Sequence, residues 1–205
     1  MLQFTREETM PRLFIAIDIP DPVKDNICGL RRNLPGVRWT AGEQIHLTMQ
    51  FIGESDDTLF NQIKSSLSKI KLPPFGLEIT SSGFFPNEKR PSVFWLGCAE
   101  SQALSDLKEN MDLVLDPFGV PSENRKFYPH ITIARLKMIS AKDCLKLSNI
   151  YKDIFPIRFN VSEFILYSSL LKSDGTEHSR ECVYPLLKEA GKFSPRPDDI
   201  RISPS

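Results

Sequence analysis

Nothing in this chain leans to an extreme, and each thing it lacks narrows what it can be. It has no excess charge: lysine plus arginine and aspartate plus glutamate number 26 each in 205 residues. No global field therefore draws in nucleic acid, and a polyanion binder would have to gather its positive charge locally. Four cysteines stand far apart (Cys28, Cys98, Cys144, Cys182) with no Cys-x-x-Cys pair, which argues against a zinc ribbon or a dithiol redox motif. Four reduced thiols in a reducing cytoplasm are expected. No apolar run approaches the roughly 20 residues that span a bilayer, and Met1 to Arg12 is too polar for a signal-peptide core. The expectation is a cytoplasmic protein with no membrane partner. Histidine is scarce as well, with three in the whole chain.

What is present is an ordinary globular composition, 40% hydrophobic and 25% charged, long enough for one well-buried domain or one domain of two lobes. Leu13 to Ile17 reads as a buried strand closed by Asp18 and Pro20. Asp21-Pro22 then starts a helix, Asp as N-cap and Pro at its first position, that runs to about Arg32. A Pro/Gly loop, Asn33 to Gly42, leads into an apolar β-prone run at His46. Asp56 or Asp57 opens a second helix to about Ile70, ended by Pro73-Pro74. Strands follow at Gly76 to Ser82 and Ser92 to Cys98, around a turn at Asn87-Glu88-Lys89. The second half replays this order: a helix from Ser101 to Leu115, a Pro/Gly loop, a strand at His130, a short helix near Ala141 to Leu147, and strands near Arg158 to Tyr167 and Cys182 to Leu187. Residues 191–205, rich in Pro, Ser and charge, read as a mobile tail.

Two of the three histidines sit in near-identical settings: His46-Leu47-Thr48-Met49-Gln50-Phe51 and His130-Ile131-Thr132-Ile133-Ala134-Arg135. In a strand, residues two apart share a face, so each run offers one imidazole and one hydroxyl to one surface while Leu47 and Met49, or Ile131 and Ile133, face the other way. Singly, either run is an ordinary sheet segment. The shared spacing, apolar phase and place in two matching halves make the pair a site. Imidazole, with an unperturbed pKa of about 6.5, gives and takes protons near neutrality. Two of them on opposite sides of a substrate can divide that work, each role worth roughly 10²–10⁴-fold. The threonine hydroxyls can donate to an anionic oxygen. That equipment suits attack on a phosphodiester without a metal. A zinc site would need a third and usually a fourth ligand, and no residue stands at a matching spacing. His178, in the turn-like Ser173-Asp174-Gly175-Thr176-Glu177, reads as a solvated loop residue.

Positive charge gathers at the second run: Arg125, Lys126, Arg135 and Lys137, interleaved with Phe127 and Tyr128 and free of acids. Basic residues among aromatics suit phosphate contact with base stacking, although Lys126 and Lys137 read as solvated. By strict alternation Arg135 falls on the buried side, so the strand must end or bulge near Ala134, or the side chain must curl back to the cleft rim. Phe51, at the same offset, fits the core side, which is its expected place. It is also carried as a candidate substrate contact, with Arg135, Tyr128 and Arg125.

Two His-x-Thr motifs about half a small α/β chain apart resemble the two-histidine phosphoesterases, and more narrowly the RNA 2′,3′-cyclic phosphodiesterases, also called 2′-5′ RNA ligases. The matching runs are Arg12 to Asp18, His46-Leu47-Thr48 into Phe51-Ile52-Gly53-Glu54, Val93 to Gly97, Phe127 to Thr132 ending at Arg135, and Val161 to Ser169. The resemblance spans residues 11–188. It implies a bilobal α/β (α+β) fold of two pseudo-symmetric lobes, each an antiparallel sheet backed by helices, with the site in the groove between. Residues 11–190 would form that one domain and residues 1–10 an N-terminal extension. It further implies opening of an RNA 2′,3′-cyclic phosphate to a 2′-phosphomonoester with no metal or cofactor. A monomer is expected. His46 would be the acid to the departing 3′ oxygen and His130 the base that activates water, labels that depend on how substrate lies. Thr48 and Thr132 would hold the non-bridging oxygens, and Arg135 would lie near the phosphate or terminal nucleotide. One departure is Tyr128, where relatives commonly carry His. Another small cyclic phosphate, a 2′-5′ oligonucleotide, or non-catalytic binding of an RNA end remain the alternatives.

Overall fold

The computed structural model describes residues 11–120, 127–172 and 175–187. The expected N-terminal extension, the C-terminal tail and Arg125 lie outside the described residues. In chain order the first elements are β1 (Arg12–Asp18), α1 (Asp21–Gly29), β2 (Val37–Trp39), β3 (His46–Glu54), α2 (Asp57–Leu67), β4 (Phe75–Phe85) and β5 (Val93–Cys98). Then come α3 (Gln102–Leu115), β6 (His130–Leu136), α4 (Ala141–Lys152), β7 (Ile157–Val161), β8 (Glu163–Lys172) and β9 (Gly175–Pro185).

The helix starts follow local chemistry. Asp56 Oδ1 accepts from the Leu59 amide at 2.8 Å, Ser101 Oγ from Leu104 at 3.3 Å, and Ser140 Oγ from Asp143 at 3.1 Å. Each satisfies an amide that the first turn leaves without a partner. α1 differs from expectation: Asp21 lies inside the first turn and Pro20 occupies the cap. Asp18 instead accepts from the Ile19 amide at 2.9 Å. The Asn87 turn forms as read, its Oδ1 accepting from Lys89 and Arg90.

The strands form one antiparallel sheet in the order β7-β4-β5-β6-β3-β1-β8-β9, with β2 added against β6. Its two lobes, β9-β8-β1-β3 and β6-β5-β4-β7, meet at one ladder pair, Leu47 opposite Ile131. The lobes are not the two halves of the chain. The β4–β5 pair from the first half joins the second motif's strand, and the β8–β9 hairpin returns to the first motif's lobe. The strand expected over Arg158 to Tyr167 is two strands, broken at Ser162, that lie in different lobes. The Asn33 to Gly42 segment, read as a loop, contains β2.

One face of the sheet carries the main core. Leu13, Ile15, Ile17, Leu47, Met49, Leu96, Ile131 and Ile133 pack there with Ile27, Leu67, Leu107, Met111 and Leu147 of the helices. Each such fully buried aliphatic contributes roughly 1.5–3 kcal/mol. Tyr151 of α4 is fully buried and donates its hydroxyl to the Ile27 carbonyl of α1 at 3.1 Å. The other face holds a small separate apolar cluster, Phe14, Ala16, Ile165 and Tyr167. The polar members of the two motifs face that side.

Candidate active site

The register at Leu47 and Ile131 decides the arrangement. Both residues are completely buried, so their neighbours in sequence face the cleft. Antiparallel pairing sets His46 across from Thr132, and Thr48 across from His130. Two imidazoles and two hydroxyls from opposite halves of the chain therefore share one patch of sheet, and all four are partly exposed.

Beyond the threonines, both strands do the same thing. Ile15 pairs with Gln50 and Ala16 with Thr48, leaving Met49 as an extra residue; Phe94 pairs with Ala134 and Trp95 with Thr132, leaving Ile133 extra. Each bulge puts two successive residues on the core side and returns the next to the cleft. That explains Arg135, which is exposed on the cleft face. It also corrects Phe51. Strict alternation sends Phe51 to the core, but the bulge at Met49 leaves it 64% exposed, its ring 6.2 Å from Phe14. The Ile133 carbonyl freed by its bulge accepts from the Thr40 amide at 3.0 Å, where β2 ends.

The two histidines have unlike surroundings. His46 packs against Phe14 at 5.1 Å with the ring planes tilted, stacks on Tyr167 at 6.0 Å, and meets His178 edge to face at 5.7 Å. Burial lowers its pKa to about 4, the His178 charge adding to the effect. Asp18, its cross-strand neighbour, and the Gln44 carbonyl pull the other way, and Lys24 lowers it further. Asp18 is itself tied to Lys24 at 2.7 Å and Arg180 at 3.5 Å. His130 Nδ1 lies 2.8 Å from the Tyr128 carbonyl. A carbonyl only accepts, so a neutral His130 carries its proton on Nδ1 and keeps the Nε2 lone pair free. The bond uses Tyr128's backbone, so His or Tyr at that position serves it equally. The Tyr128 ring is half-exposed, 5.2 Å from Trp95 and 6.2 Å from Phe85.

Two contributors escaped the sequence reading. His178 is not a solvated loop residue: it lies in β9 opposite Ser169, its ring 5.0 Å from Phe14. Its pKa is lowered by burial. The polar run Thr176 to Glu181 lacks the apolar alternation that marks a strand, so no signal pointed there. Trp95 is the second. Its indole is buried beside Thr132, 6.4 Å from His130, and its Nε1 has no hydrogen-bond partner. Glycines make room for it: a Cβ on Gly83 would stand 2.4 Å from the indole.

The chain matches the LigT like Phosphoesterase family model twice, over residues 17–95 and 96–176. It belongs to the LigT-like, two-histidine phosphoesterases. An RNA 2′,3′-cyclic phosphodiesterase of Methanocaldococcus jannaschii is 31% identical over 181 residues, 87% of this chain and 99% of the relative. One from Thermotoga maritima is 34% identical over 170 residues, 80% and 89% of the two chains. Among solved structures, E. coli LigT complexed with 3′-AMP superposes with a TM-score of 0.72 at 25% identity, covering 87% of this chain and 99% of that one. TT0787 of Thermus thermophilus shares the fold, with a TM-score of 0.71 at 23% identity and coverage of 85% and 97%. The bilobal α/β architecture is that of the family.

Proposed function

We propose that this LigT-like phosphoesterase opens 2′,3′-cyclic phosphate ends of RNA to 2′-phosphomonoesters by acid–base catalysis between His46 and His130. The observation that carries the reading is the pairing of the two motif strands at Leu47 and Ile131, which puts both His-Thr pairs on one surface. The relatives named RNA 2′,3′-cyclic phosphodiesterase support the substrate class.

In this mechanism His130 Nε2 takes a proton from water, whose oxygen bonds to phosphorus. The bond from phosphorus to the 3′ oxygen breaks, and His46 protonates that oxygen as it leaves. Thr48 and Thr132 donate to the non-bridging oxygens, where negative charge gathers. His46 is neutral in the free protein at pH 7, so it takes up its proton as the anionic phosphate enters, a nearby negative charge favouring the cationic imidazole. Phe51, Tyr128 and Arg135 border the site and contact the terminal nucleotide. The same path with a 5′-hydroxyl in place of water, its oxygen bonding to phosphorus as the 3′ oxygen leaves, is 2′-5′ ligation in vitro, a reversible step.

The test is product analysis on 2′,3′-cyclic AMP and a short RNA bearing that end. The 2′-phosphate is the expected sole product, undiminished by EDTA. Release of the 3′-phosphate, or turnover surviving in a folded His46→Ala, His130→Ala double variant, contradicts the mechanism.

A further inference from the structure

The bulge that returns Arg135 to the cleft brings it beside a residue outside the motifs. In the β2–β6 ladder Arg38 is directly opposite Arg135. Residues opposite one another in an antiparallel pair project from the same face, their Cβ atoms about 4.5–5.5 Å apart. Arg38's neighbours Val37 and Trp39 pack against the main core, which turns Arg38 to the cleft face. Both arginines are exposed, and neither has an ion-pair or hydrogen-bond partner among the described residues. Like charges set directly opposite one another disfavour the pairing of their strands. An anion lying across both guanidiniums reverses that sign.

The rest of the cleft favours the same path for a polyanion. On the other side of His46, a cavity of about 580 Å³ is lined by Asp18, Asp21, Asp25 and Glu43, with Lys24 and Arg180. Both of those cations are already paired with carboxylates. A phosphodiester chain leaving the catalytic patch in that direction meets carboxylates. Leaving along β6 and β2, it meets two unpaired arginines.

We propose that Arg38, directly opposite Arg135 at the terminal nucleotide, extends that contact into a phosphodiester subsite, which holds the RNA backbone upstream of the cyclic end. The inference rests on the hydrolase reading above and adds a substrate preference: an oligonucleotide end over a cyclic mononucleotide. Arginine suits the task, its planar fork of donors matching the phosphate oxygens. The protein's balanced total charge is compatible with it, since the positive field is local.

The experiment measures kcat/KM for wild type, Arg38→Ala and Arg38→Glu on 2′,3′-cyclic AMP and on a five-nucleotide RNA with the same cyclic end. Fluorescence anisotropy in parallel follows binding of a labelled five-nucleotide RNA ending in 2′-phosphate over a salt series. Arg38→Ala is expected to lower kcat/KM on the oligonucleotide about tenfold through KM, with less than a twofold change on the mononucleotide. The slope of log affinity against log salt should fall by about 0.7, one phosphate contact on a single strand. Arg38→Glu should lose more on the same substrate. Equal losses on both substrates, or unchanged oligonucleotide binding and salt slope, overturn the subsite. If wild type hydrolyses neither substrate, the hydrolase reading fails, and the anisotropy series still decides the subsite: weaker binding with a shallower slope sustains it, and an unchanged slope ends it.

Discussion

His46 is held in a setting that works against its own charge, and this has consequences that can be measured. Its folded pKa of about 4 stands below the ordinary value of about 6.5. The unfolded chain therefore binds more protons between those values, and stability falls as pH drops through that window. The loss reaches about 3 kcal/mol for this one group. Urea titrations at pH 7 and pH 4.5 should show that decline, and His46→Gln should shrink it. His46 must hold a proton to act as the acid, so its titration sets a limb of kcat/KM near pH 4. Asp18 raises the His46 pKa, so Asp18→Asn should move the limb to still lower pH. A limb near 6.5 in wild type would mean that His46 is not buried neutral. Trp95 makes a second residue-scale case. Gly83→Val pushes a side chain into the indole, and should shift tryptophan emission and cut kcat roughly tenfold, by displacing what lies beside Thr132.

At the scale of elements, much of the site was legible because its pattern is short and local. The His-x-Thr spacing and its apolar phase name four residues and their faces, and the starts of α2, α3 and α4 follow from single capping side chains. What was not legible depends on pairing. A bulge is a property of two strands in register, so nothing in Met49 or Ile133 announces that Phe51 and Arg135 turn to the cleft. β2 is only three residues long and finds its place through β6. The break at Ser162 separates two strands within the segment read as one, Arg158 to Tyr167, because only topology sends β7 and β8 to different lobes. His178 stayed hidden for the same reason: its strand is polar, and only pairing with β8 brings it to His46. The single ladder pair joining the lobes is the element-scale test. Ile131→Ala should cost about 2–5 kcal/mol in a urea titration and lower activity on every substrate, since it loosens the only strand pairing between β3 and β6.

Across the whole molecule, exchange of strands between the halves makes one sheet from two lobes and one site from two motifs. The symmetry ends where the motifs end: an exposed aromatic follows one threonine and an exposed arginine the other, so in the proposed mechanism the cleft grips its substrate unequally. The most direct measurement is the phosphate position in the product of a short RNA with a 2′,3′-cyclic end, for wild type, His46→Ala and His130→Ala. Only the 2′-phosphate is expected from wild type, and no detectable product from either folded variant. A 3′-phosphate product, or near-wild-type turnover in either variant, would rule out the two-histidine mechanism.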